Sequence, residues 1–108
     1  MAIHHAACAE VIDVRPLGAK LSESKTTVLV KTDALEVLRI VLPAGKQLPS
    51  HRVDGELTAQ CLEGRLAFGV EGVEHELAQG QMLYVAGGSA HALRGIEDSS
   101  VLVTILLK

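Results

Sequence analysis

The sequence predicts an all-β domain, either a sandwich or a closed barrel, and three observations carry that prediction. Glycine and proline cut the 108 residues into short pieces, the spacing of many brief strands. β-branched residues crowd several pieces, as in Thr26-Thr27-Val28-Leu29-Val30, and such side chains fit a pleated, half-buried surface. The composition, 48% apolar and 21% charged, is that of a globular chain. A chain of this length buries about two-thirds of its unfolded surface on folding, so residues 1–108 are read as a single domain that needs no disulfide.

Taken in order, the expected strands are Glu10–Pro16, Lys25–Thr32, Leu35–Leu42, Leu57–Leu62, Arg65–Val70, Val73–Leu77, Met82–Val85, His91–Gly95 and Val101–Leu107. Glu71-Gly72 between two runs is a tight hairpin signal, because glycine accepts positive φ. Asp33-Ala34, Glu63-Gly64 and Gln79-Gly80 mark further turns. The last strand is apolar on both faces, which requires cover on both. A second subunit is one way to supply that cover, so a homodimer is expected. The alternative is a strand packed within one monomer.

Composition also excludes partners. Phe68 and Tyr84 are the sole aromatics of the Phe, Tyr and Trp class, and net charge is −3. Without a basic block or interleaved aromatics, nucleic acid is not an expected partner. No apolar run reaches the ~18 residues of a membrane span. Ala6-Ala7-Cys8 lacks the charged start and apolar stretch of a lipoprotein leader. Two cysteines, Cys8 and Cys61, make a poor disulfide framework, and a cytoplasmic location is expected.

Residues 45–64 read GKQLPSHRVDGELTAQCLEG, and residues 80–95 read GQMLYVAGGSAHALRG. Together they resemble the two sequence motifs of the cupin superfamily. Gly45, His51 and Gly64 stand at positions of the first motif, and Gly80, Gly88 and His91 at positions of the second. Fifteen residues separate the motifs, a short spacing similar to that of small bacterial members. The resemblance implies a double-stranded β-helix, the cupin jelly-roll barrel. Gly87-Gly88 permits a close backbone approach or a bulge before His91.

In cupins two His and a Glu of the first motif join the His of the second around one metal. Here Val53 stands at the second His position and Leu57 at the Glu position. Ala86 replaces the proline of the second motif and Gly95 its terminal Asn. Only His51 and His91 remain of the ligand set. Zinc sites normally use three or four side chains, and non-haem iron two His and a carboxylate. A set of small bacterial cupins is similar in keeping the leading His with apolar residues at the other two positions.

His51, Val53 and Leu57 share strand parity, so all three are expected to face the interior. Cys61 shares that parity, and Tyr84 is placed within reach of the same space. The expected pocket is thus His51, Val53, Leu57, Cys61, Tyr84 and His91, narrow and mostly apolar. No cofactor is expected. The alternative is one divalent transition metal (Fe, Zn, Mn, Ni or Cu) on His51 and His91, helped by Cys61 or by a Glu56 turned inward by a bulge.

Three functions stay open: a small-molecule-binding cupin without a full metal site, a metal-dependent dioxygenase or isomerase, and a structural or partner-binding barrel. The imidazoles can serve as acid and base or simply bind water or an anion. Cys61 is either a nucleophile or a small core residue. Arg39 interrupts an apolar strand, and either faces the interior, where it would favour a carboxylate ligand, or stands outside in water.

Overall fold

The computed structural model describes residues 4–107. Nine strands form two antiparallel sheets. They are β1 (Thr27–Lys31), β2 (Leu35–Leu42), β3 (Gln47–His51), β4 (Leu57–Glu63), β5 (Arg65–Val70), β6 (Val73–Ala78), β7 (Met82–Val85), β8 (His91–Gly95) and β9 (Ser99–Leu106). The five-stranded sheet has the order β1-β2-β9-β4-β7, and the four-stranded sheet β3-β8-β5-β6. This is the expected all-β jelly-roll.

Alternation builds the core. On β4 every second residue, Leu57, Ala59 and Cys61, is buried. They meet Leu66, Phe68, Val85 and Val101 in one apolar cluster between the sheets, so the barrel interior is packed with side chains. The β5–β6 hairpin closes through Glu71 at φ 49° and Gly72 at φ 83°. Two successive positive φ values make a type I′ turn, whose twist matches that of the flanking strands.

Two strand expectations are corrected. Gln47–His51 forms β3 although it holds Pro49. β3 is an edge of its sheet, and an edge tolerates a residue that cannot donate to a ladder. Conversely, Glu10–Pro16 is not a strand. Its Val11 is 93% exposed, so the apolar alternation there buries little.

Residues 4–24 instead form a strap against the five-stranded sheet, ending in a 3₁₀ turn, Gly18–Glu23, that buries Leu21. Two side chains fix it. Arg39 points out of the barrel, opposite in parity to Leu38 and Ile40, and Nη2 donates to the carbonyls of Val14 and Arg15. The Glu63 carboxylate accepts from the Leu17 and Gly18 amides at 2.9 and 3.0 Å and from the Ser100 hydroxyl at 2.6 Å. Burial pushes the Glu63 carboxyl up, but these donors, with Arg39 nearby, hold it below its ordinary value. Hydrogen bonds to charged groups are worth about 1.5–3 kcal/mol each. Arg39 therefore neither faces the interior nor stands in water: it is buried under the strap. Through Glu63 and Ser100 the same strap lies against part of the outer face of β9, cover that the sequence left to either a second subunit or the monomer itself.

Candidate ligand site at the barrel mouth

His51 ends β3 and His91 begins β8, and the two are register partners across the ladder. A bulge between Leu48 and His51 turns the end of β3. The imidazole centroids lie 4.3 Å apart in an edge-on contact, with 60° between planes. His91 stacks at 5.8 Å on Phe68, a fully buried ring of β5. His51 is exposed and His91 is 5% exposed, so the pair runs from solvent to the top of the core.

Each ring is anchored through Nδ1, His51 to the Pro49 carbonyl at 3.4 Å and His91 to the Ser89 carbonyl at 3.3 Å. A carbonyl only accepts, so Nδ1 carries the proton and Nε2 of the neutral ring keeps its lone pair. Burial lowers the His91 pKa. The Ser89 carbonyl opposes that effect, and the neighbouring His51 adds to it. His91 is therefore a neutral acceptor at pH 7.

The loop before His91 is clasped. Arg52 donates to the Gly88 carbonyl at 2.7 Å and to Glu71 at 3.2 Å, and Glu71 accepts from the Ala90 amide at 2.9 Å. Gly88 N–H donates to the Val53 carbonyl at 2.8 Å. At Gly87 a Cβ would stand 2.4 Å from the Asp54 carbonyl oxygen, which is the close backbone approach expected for Gly87-Gly88. Nothing in the sequence singled out Glu71 for this role. Its signal was only the hairpin turn.

The other expected site residues do not all gather here. Val53 packs at the mouth against the core, and Leu57 lies beneath it at 2% exposure. Cys61 faces inward as expected, but four residues further along β4, about 13 Å from Leu57. Its thiol donates to the Glu63 and Gly64 carbonyls, and burial raises its pKa. Its side chain is fully buried in the core cluster. Tyr84 is 58% exposed and lies outside the barrel, because its neighbour Val85 takes the inward position opposite Leu57. Its hydroxyl donates to Glu56, so no bulge turns Glu56 inward. Tyr84 and Glu56 thus both leave the expected pocket.

Val53 and Leu57 have no lone pairs, and no cluster of three or more His, Cys, Asp or Glu suited to a metal occurs among the described residues. Two imidazoles alone fall short of the three or four ligands of ordinary zinc sites. Beside His91 an open groove of about 430 Å³ runs along β3 and β8; its lining includes Gln47, Ser50, Glu74, His91 and Arg94, but not His51.

A two-sheet jelly-roll with a histidine from each motif at its mouth is the architecture of a cupin barrel. The Cupin domain family model matches residues 38–107, and the chain belongs to that family. Among solved structures, a conserved protein of unknown function from Streptococcus pyogenes superposes with a TM-score of 0.77 at 20% identity, covering 100% of this chain and 96% of that one. An RmlC-like cupin from Desulfovibrio desulfuricans gives 0.75 at 23% identity over 91% and 98% of the two chains. A salicylate 1,2-dioxygenase mutant from Pseudoaminobacter salicylatoxidans gives 0.69 at 18% identity, over 74% of this chain and 25% of its own. These likenesses are likenesses of fold. A search of curated proteins returned no match. No helix of the described residues is long and apolar enough to cross a membrane.

Proposed function

We propose that this cupin binds a small neutral molecule at the barrel mouth, on His51 and His91, without a metal. The observation that supports this reading is the edge contact of two imidazoles whose Nδ1 protons are both committed to backbone carbonyls. The two Nε2 lone pairs remain to accept hydrogen bonds, so the ligand is one that carries N–H or O–H donors. A cation is disfavoured because no cluster of three or more metal-ligating side chains occurs among the described residues and the Glu74 carboxylate of the groove beside His91 is held by Arg94; Gln47 and Ser50 line the same groove. Because the interior is filled by Leu57, Cys61 and Phe68, the ligand sits on the rim and not inside the barrel.

The test is a set of ¹⁵N-histidine NMR titrations with glycerol, acetamide and phenol, and separately with Zn²⁺. The reading predicts saturable shifts of both Nε2 signals with at least one neutral probe, lost in His51→Ala. One equivalent of Zn²⁺ should leave both rings unmoved. Stoichiometric Zn²⁺ binding to both rings would instead favour the metal-dependent enzyme. Silence with every probe would favour a structural barrel, the second reading, which the filled interior supports.

For assembly, we propose a homodimer through the outer face of the five-stranded sheet beyond the strap, where Met82, Tyr84 and Leu106 are 59%, 58% and 44% exposed. Sedimentation velocity should give a dimer that Tyr84→Glu dissociates; a monomer at all concentrations overturns this.

A further inference from the structure

We propose that the groove between the N-terminal strap and the five-stranded sheet is a second binding site, for a small oxyanion carrying a carboxylate or phosphate group. Arg39 forms part of its wall and is 9% exposed. Buried charges are normally paired, yet Arg39 belongs to none of the side-chain ion pairs among the described residues. Its Nη2 contacts are the neutral carbonyls of Val14 and Arg15. Its Nε, fully buried, has no hydrogen-bond partner among the described residues.

The nearby carboxylates are already engaged. Asp13 is gripped by Arg15 through Nε at 3.0 Å and Nη2 at 2.7 Å, and that grip holds its pKa at about 2. Glu63 is taken by the Leu17 and Gly18 amides and the Ser100 hydroxyl.

The groove has a volume of about 450 Å³ and is lined by Asp13, Arg15, Pro16, Leu17, Lys20 and Arg39. Three cations line it beside one carboxylate, Asp13, and the Glu63 carboxylate lies near Arg39 outside the lining. A planar guanidinium whose Nη1 makes no hydrogen bond among the described residues suits an oxyanion, which accepts charge-assisted hydrogen bonds, and the exposed Lys20 adds a point charge at the rim. This site lies on the outside of the sheet opposite the histidine pair, so it stands or falls independently of the mouth.

The experiment is a two-dimensional amide NMR titration of the full chain with sodium phosphate and, separately, sodium acetate, each against sodium chloride at equal ionic strength. The proposal predicts saturating shifts at Leu17, Lys20 and Arg39 with phosphate or acetate but not with chloride. The two arms separate a phosphate site from a carboxylate site. Lys20→Met, an exposed substitution that should leave the fold intact, is expected to weaken the binding about three- to tenfold. Arg39→Gln should abolish it. Shifts no larger than those with chloride, or undiminished affinity in Lys20→Met and Arg39→Gln alike, overturn the site.

Discussion

Between His51 and His91 the chemistry is set by unequal burial. His91 lies under His51 and on Phe68, so charging it costs more in the folded chain than in the unfolded one. Its folded pKa is lowered, and the unfolded state then binds the extra proton. Stability is therefore complete above the ordinary histidine value of about 6.5 and falls as pH drops from there toward the folded pKa. Thermal melts should show Tm declining from pH 7 to pH 5.5, and His91→Gln should flatten that interval. A decline that survives the substitution would place the titration elsewhere. Glu63 acts in the same direction but lower, below its ordinary 4.5, so the two windows separate. Phe68→Ala removes the ring that fills the core and stacks on His91. It should cost about 3–5 kcal/mol in urea unfolding and raise the His91 pKa; an unchanged pKa would show that the stack does not desolvate the imidazole.

At the scale of elements, turns and the strap decide which sequence signals come true. Gly64 and Gly72 both have positive φ, at 74° and 83°. A Cβ at Gly64 would stand 2.1 Å from the Asp98 carbonyl oxygen, whereas one at Gly72 meets nothing within 4 Å. Gly72→Ala should cost about 1 kcal/mol, the price of left-handed backbone alone, and Gly64→Ala clearly more, as read by chemical denaturation. Equal costs would mean the backbone at Asp98 yields freely. The strap depends on Arg39 and Glu63. Glu63→Gln and Arg39→Met should each speed limited proteolysis within residues 10–18 while leaving the β-sheet circular dichroism unchanged; undiminished resistance would mean that apolar contacts such as Leu21 hold the strap. Eight of the nine strands were legible as short runs between turn residues, several of them rich in β-branched side chains. β3 was not, since Pro49 and its polar neighbours carry no strand signal and only the edge position makes room for them. Glu10–Pro16 misled for the opposite reason: alternation promises a strand only if a sheet edge receives it, and here the segment crosses a sheet face.

For the whole molecule, the fold followed from two motifs whose glycines and histidines keep their register, and the family match over residues 38–107 agrees. The site was legible only in part. The resemblance to the two cupin motifs brought His51 and His91 together, and parity put Leu57 and Cys61 inside. Parity could not show that Cys61 lies too far down β4 to help, or that Tyr84 and Glu56 bind each other outside. Those outcomes depend on how the sheets pack, which a single strand does not encode. The proposed metal-free binding follows from Val53 and Leu57, apolar side chains at two positions where the resembling motif carries metal ligands. Its most direct test is elemental analysis of untagged protein, purified without chelator or nickel resin and then offered Fe²⁺, Zn²⁺, Mn²⁺, Ni²⁺ and Cu²⁺. Metal-free binding predicts well below about 0.1 equivalent of any of them per chain after desalting. Close to one equivalent, lost in both His51→Ala and His91→Ala, would contradict it.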